Sequence, residues 1–255
     1  AMKQLFRIII ISVCLIFIWQ MIVFLTNVPS YILPGPLSVG VAIIERYELL
    51  ARHGVVTLIE IIAGMILGTL FGFFSALSMA YYKSFRHWLM PVLVISQAIP
   101  VFALAPVLVL WLGYGMESKI AMATLIIYFP VTATFLDGLR RTPPGWIDIA
   151  RTMSASPWAI LRYVRIPSAL PHAASGLRVA AAIAPIGAIV GEWVGSSSGL
   201  GYLMLHANAR MQIDVMFAAL FILALIGISL YFTIDLMVRR LLPWQTEDYS
   251  DTFST

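Results

Sequence analysis

Ionisable side chains are few in this chain, and those inside apolar stretches carry the first information about its chemistry. Glu192 stands in AIAPIGAIVGEWVGSSSGLG and Glu60 in VVTLIEIIAGMILG, while Arg178 precedes Glu192 by 14 residues and Asp235 precedes Arg239 by four. A charge at membrane depth is costly and marks a functional position by default. Glu192, next to a glycine–serine run, is the leading candidate, either lining an outer gate or pairing across a subunit interface. Glu60 either snorkels to the interface or faces a pathway. Arg178 and Glu192 lie about 21 Å apart along one helix, too far to pair. Arg178 is therefore expected to reach the inner interface or a carboxylate of another helix. Asp235 and Arg239 have the spacing of an ion pair on one helical face. Gln97, Phe102, Tyr128 and Trp193 join Glu192 as candidate pathway residues, being polar or aromatic groups in apolar segments.

Several chemistries are missing. No GxxxxGK[ST] run exists, so nucleotide hydrolysis by this chain is not expected. The four histidines, His53, His87, His172 and His206, form no helical pair within an apolar segment, which argues against haem or metal ligation. No acidic pair is expected to face another charge in mid-span, so a proton relay is not predicted. No nucleophile–base arrangement stands out, and the chain is not read as an enzyme. Cys14, the one cysteine, reads as a small lipid-facing or packing residue.

The elements that must position these residues follow from composition. Of 255 residues 61% are hydrophobic and 11% charged, against about 25% charged in soluble domains. Lipid must therefore be the solvent for most of the surface. Six segments approach the roughly 20 apolar residues of a spanning helix: 6–26, 55–81, 88–112, 120–136, 173–194 and 215–238. Hydrocarbon requires internally satisfied backbone, and the period-2 alternation of a barrel is absent. The first segment exceeds a signal-peptide core and reads as a retained span, and Ala1 ahead of Met2 reads as an added residue. Lys and Arg divide 12 to 4 between the two sides, which predicts cytoplasmic termini and a cytoplasmic 137–172 loop. Residues 1–244 are read as one membrane domain and 245–255 as a polar tail. An amphipathic helix is expected over 37–50. The stretch 195–214 either dips into the membrane, lined by protein, or forms a surface loop with a short helix.

Small residues recur every four positions at Gly64, Gly68, Gly72, Ala76 and Ala80, and at Ala180, Ala184, Ala188 with Gly187, Gly191, Gly195. Such stripes let helix backbones approach closely. The long inner loop contains DIARTMSASPWAILRYVRIP, with Arg151, Arg162 and Arg165, and Arg141 just upstream. WIDIARTM reads as a short helix broken at 154–156. Ser156 has the character of an N-cap with Pro157 at the first helical position of WAILRYVRI. Pro167 and Pro171 are expected to end the unit. Two short helices and a sharp turn make a rigid, basic knob suited to docking a soluble partner and passing force from it.

This segment resembles the EAA loop of ABC-importer permeases. Asp148, Ile149 and Ala150 occupy the E-A-A positions, Ser154 the glycine position, and Val164, Ile166 and Pro167 the final I-x-L-P positions. Ser154 is the main departure, strained if the turn requires positive φ. AIPVFALAPVLVLWLGYG (98–115) and GEWVGSSSGLGYLM (191–204) are similar to the nitrate/taurine/alkanesulfonate branch, and YLMLHANARMQIDVMFAAL (202–220) to members assigned to thiamine-precursor pyrimidine uptake.

The resemblance implies an all-α membrane protein of about six transmembrane helices with the type I ABC importer permease fold, in a bacterial inner membrane. It implies a homodimer of permease chains, two cytoplasmic ATPase subunits that bind ATP and Mg, and a periplasmic or lipid-anchored binding protein, with no cofactor in this chain. The implied ATPase-coupling residues are Asp148, Ala150, Arg151, Ser154, Ala155, Pro157, Val164, Ile166 and Pro167. ATP closes the ATPase dimer, the loops approach each other and the bundle opens outward; hydrolysis resets it. Two alternatives are an importer of a sulfonate, nitrate or similar small anion and, from another class, an ion-coupled secondary transporter. The latter calls for mid-span ion ligands.

Overall fold

The computed structural model describes residues 2–244, apart from the side chains of residues 2–5, 7–9 and 97. The predicted polar tail 245–255 lies outside the described residues. Those residues form helices and connecting turns with no strand. The helices are α1 (Met2–Thr26), α2 (Pro36–Glu45), α3 (Tyr47–Tyr81), α4 (Lys83–Ala98), α5 (Val101–Leu112), α6 (Met116–Arg140), α7 (Pro144–Thr152), α8 (Pro157–Ile160), α9 (Ile166–Gly195), α10 (Leu200–Ala209) and α11 (Ile213–Leu241).

At the centre, α6 is gripped between α3 and α9 through the predicted small-residue stripes. A Cβ added at Gly68 would lie 2.7 Å from Ile127 Cγ2, and one at Gly72 2.9 Å from Val131 Cγ1. On the opposite side, a Cβ at Gly187 would lie 2.7 Å from the Cα of Ala123. The stripes therefore act as packing seams, with dispersion contacts replacing the hydrophobic effect that lipid cannot supply. The mid-bundle core contains Ile61, Ile127, Val131, Ala180 and Ala184, all buried.

Three expectations need correction. First, among the described residues four helical stretches are long and apolar enough to cross a membrane: Tyr47–Tyr81, Met116–Arg140, Pro157–Gly195 and Ile213–Leu241. The predicted span 88–112 is α4 and α5 bent by 103°. Pro100, at the N-cap of α5, has no N–H to carry the ladder across. Counting that pair as one span gives five among the described residues, and α1, Met2–Thr26, is the helix of the first predicted segment. Second, the helix expected over 37–50 ends at Glu45. Arg46 breaks the ladder, and residues 47–50 open the 35-residue α3. Third, Pro167 and Pro171 do not end the loop unit. α8, a π turn at Leu161–Arg165 and α9 run on as one 39-residue helix, Pro157–Gly195. The π turn lies immediately before Pro167, so the ladder is already widened where the proline ring would meet the carbonyl four residues back.

Candidate functional site

The loop segment folds into an elbow at one end of the bundle. Its first arm, α7, contains no buried residue. Ile149 and Met153 are 61% and 77% exposed, so an apolar strip lies open beside the cavity between the two arms. An exposed apolar strip of this kind marks an interaction surface. Asp148 and Arg151 share this helix and pair at 3.4 Å in the open.

The turn answers the question raised by Ser154. The Ser154 N–H donates to Arg151 O at 2.9 Å, and the Ala155 N–H to Ala150 O at 3.0 Å. These are the two bonds of a Schellman cap, whose C′ residue must be left-handed. Ser154 has φ +59°, so it occupies a conformation that favours glycine. Ser156 then caps the second arm, its Oγ accepting from the Ala159 N–H at 3.2 Å, with Pro157 following. Ala150, Val164 and Pro167 line a cavity of about 620 Å³ between the arms, together with Trp146, Met153 and Tyr163. Ile166 begins α9.

Arg165 has a role that its place in a basic loop did not reveal. Its Nη2 and Nε donate to Leu139 O at 2.9 and 3.1 Å, and its Nη1 to Ala80 O at 3.3 Å. It ties the second arm to the last turns of α6 and α3, consuming carbonyls that helix ends leave without partners. Arg162 instead lies against Tyr163, 5.5 Å from the ring centre.

At the other end, Glu192 does not line an opening. It is 1% exposed. Oε1 accepts from Thr57 Oγ1 at 2.6 Å, and Oε2 accepts from the Gly201 and Tyr202 N–H groups. The Thr57 hydroxyl also accepts from Leu200 N–H at 2.8 Å, and His53 Nδ1 from Gly199 N–H at 3.0 Å. The first turn of α10 is thus capped entirely by side chains of α3 and α9, which supply acceptors and negative charge to its N-terminus. Gly199, with φ +107°, places its Cα where any Cβ would collide with the Glu192 carboxyl. The glycine–serine run is therefore folded onto the bundle and lined by protein, with Leu200 fully buried.

Glu60 is also 1% exposed, so it does not snorkel; its carboxyl meets that of Glu192, with Lys119 near both. The expectation that no acidic pair faces another charge is overturned. Lys119, counted in sequence as an outer-loop cation, is buried in the first turns of α6. Its ammonium donates to Tyr114 O, Gly115 O and Gly195 O. Glu60, Lys119 and Glu192 come from three helices, which is why no sequence spacing announced them. Arg178 reaches Asp235 of α11 at 2.6 Å, and Asp235 accepts from Arg239 at 2.9 Å, as the spacing predicted.

The five candidate pathway residues are not brought together. Phe102 and Trp193 are 65% and 49% exposed on α5 and α9, Glu192 is internal, and the Gln97 side chain is outside the described residues. Tyr128 alone lines an open cavity of about 760 Å³ between α3, α5 and α6. Its hydroxyl donates to Ser75 Oγ at 2.9 Å. Thr124 Oγ1, on the same wall, is buried without a partner. Phe71 and Glu117 complete the polar and aromatic part of an otherwise aliphatic surface.

An elbow that projects an uncovered helix from a membrane bundle has a counterpart among known families. Residues 68–246 match the family described as the binding-protein-dependent transport system inner membrane component. The chain belongs to this family. The permease is 58% identical over 226 residues to a probable ABC transporter permease protein of Haemophilus influenzae, covering 89% of this chain and 92% of that one. It is 37% identical to the formylaminopyrimidine transport permease protein ThiX of Halalkalibacterium halodurans (91% and 92% covered) and 36% identical to the riboflavin transport system permease protein RibX of Chloroflexus aurantiacus (91% and 87%). Permeases named for aliphatic sulfonates and taurine are among its more distant relatives, so it falls in the branch that its sequence resembles. A chain of the inward-facing MetNI methionine ABC transporter superposes with a TM-score of 0.68 at 21% identity, covering 77% of this chain and 98% of that one. The fold is that of a type I ABC importer permease, and the permease is a membrane transport component.

Proposed function

We propose that the permease works as a homodimer in a bacterial inner membrane, with both termini cytoplasmic and the elbow seated on a separate ATPase subunit. That subunit binds ATP and Mg; a periplasmic or lipid-anchored binding protein delivers the substrate. The observation that carries this is α7, a nine-residue helix with no buried residue, joined by a capped turn to a 39-residue helix. Force applied to the elbow enters a continuous rod. Arg165 and Glu192 lie about 40 Å apart along that rod, the thickness of a bilayer with its headgroups. The glycine seams make α3 and α6 move with it. Motion at the elbow therefore swings the opposite end of the bundle and reshapes the α3–α5–α6 cavity, which serves as one wall of the passage.

The substrate we infer is a small planar nitrogen heterocycle, such as a thiamine-precursor pyrimidine. Relatives at 37% and 36% identity are named for formylaminopyrimidine and riboflavin. The cavity offers Phe71 and Tyr128 for stacking and Ser75 for a hydrogen bond. Glu117 is its only charged lining group, and an acid repels a sulfonate or nitrate.

Arg151→Glu tests the docking. It is expected to insert normally and to lose ATPase stimulation by loaded binding protein. Full stimulation in that variant would remove the elbow from the coupling path. Heating the binding protein with pyrimidines, riboflavin, taurine or nitrate identifies the substrate, since only the true ligand raises its unfolding temperature. A shift with taurine or nitrate alone would overturn the heterocycle assignment.

A further inference from the structure

The elbow end carries a second feature that docking does not use. Lys83, Arg86 and Arg140 converge on the mouth of an open cavity of about 840 Å³ between the start of α4 and the end of α6. None of the three makes an ion pair among the described residues. Asp137, the neighbouring carboxylate, is already held by Arg141 at 2.6 Å. Behind the cations the wall is apolar, formed by Met90, Val94 and Ile95. From Lys83 to Ile95 this wall descends about 18 Å along α4.

Aromatic side chains fix the level of the mouth. Tyr81, Tyr82, Phe85 and Trp88 are all exposed there, Trp88 by 77%. Such a belt sits at the boundary between headgroups and hydrocarbon. The cations are then at headgroup depth and the apolar wall at acyl-chain depth. A free phosphate would satisfy the cations and leave the wall open. An acidic peptide would have to carry unpaired backbone into hydrocarbon. An anionic phospholipid matches both parts at once: a phosphate for the cations and an acyl chain for the wall.

We propose that the cavity bounded by Lys83, Arg86, Arg140, Met90, Val94 and Ile95 is a binding site for an anionic phospholipid of the leaflet at the elbow end. The site is independent of substrate identity and of ATPase docking. Its occupant bridges α4 and α6, and α6 also lines the proposed passage wall, so lipid composition would set how freely the two helices part.

The experiment uses the intact transporter purified with its lipids. Native mass spectrometry in equimolar phosphatidylglycerol and phosphatidylcholine is expected to show anionic lipid retained on each permease chain. K83Q/R86Q/R140Q is expected to reduce that preference about tenfold or more, from the attraction each cation contributes at a membrane surface. R46Q/R52Q, charges at the other end, is expected to leave it unchanged. A photoactivatable phosphatidylglycerol on the wild-type transporter gives a readout that does not depend on the triple variant folding; its adducts are expected between residues 90 and 95. Equal retention of both lipids would overturn the site. So would unchanged preference in the folded triple variant, adducts confined elsewhere, or cross-links from Val94→Cys showing the cavity filled by the second permease chain or by the ATPase.

Discussion

The two ends of this bundle treat charge in opposite ways. At one end Glu60, Lys119 and Glu192 are each 1% exposed; Lys119 and Glu192 are met by backbone and side-chain partners, while Glu60 Oε2 has no hydrogen-bond partner among the described residues. At the other, Asp148, Arg151, Lys83 and Arg140 are exposed, and their pairs, where present, lie in solvent. Buried ionic groups specify a geometry, because breaking one leaves the others desolvated and unpaired. Exposed ones contribute little to folding and are free to meet partners. One helix connects the two regimes: α9 begins at the elbow and ends at the lock. The permease is therefore rigid where a loop must be held against the bundle and accessible at the elbow end.

The largest test of that contrast is Glu192→Leu. It removes the acceptor for the Gly201 and Tyr202 N–H groups and for the short Thr57 bond, and takes one of the two carboxyl groups from beside Lys119. A loss of about 3–5 kcal/mol is expected, read as a fall in unfolding temperature in detergent and protease sensitivity at 195–205. Glu192→Gln keeps one acceptor and should lose less. If Leu is tolerated, the lock does not hold the loop. Next comes Gly187→Ala. The new methyl meets the Ala123 backbone at 2.7 Å, and backbone cannot yield as a side chain can. About 1–3 kcal/mol is expected, with transport falling faster than stability because α6 and α9 no longer move together. Equal losses at Gly40→Ala, where a Cβ meets nothing within 4 Å, would mean that the seam is not special.

Sequence legibility follows the same division. The elbow was readable because its signals are local: Ser156–Pro157 as cap and first residue, the arginine spacing and the break at 154–156. So were the glycine seams, since a four-residue repeat is a property of one helix. The lock was not readable. Thr57, Lys119 and Glu192 are 62 or more positions apart and meet only through the seams, so Lys119 looked like a loop cation. The scatter of the candidate pathway residues has a related reason. Glu192 and Trp193 are adjacent, yet helix geometry turns one into the core and the other outward, and Phe102 was displaced by the bend at Pro100. Continuity through Pro167 was hidden because a π turn leaves no compositional mark.

The smaller predictions lie at the elbow. Ser154→Gly relieves a left-handed non-glycine residue in the Schellman turn and is expected to stabilise the turn by about 1 kcal/mol, visible as slower amide exchange at 154–155. Because α7 touches little of the bundle, global unfolding temperature should barely move; a large global rise would mean that the elbow is part of the folding core. Arg151→Ala is the weakest perturbation of the folded chain. Among the described residues its one ion-pair partner is Asp148, at 3.4 Å in open solvent, so stability should change by less than about 0.5 kcal/mol. Under the proposed docking, ATPase stimulation should nevertheless drop, because the removed charge is exposed and does not face the bundle. A matching fall in stability would contradict the division between the two ends, since it would make an exposed arginine a structural tie of the kind that Arg165 alone provides among the three arginines at 151, 162 and 165.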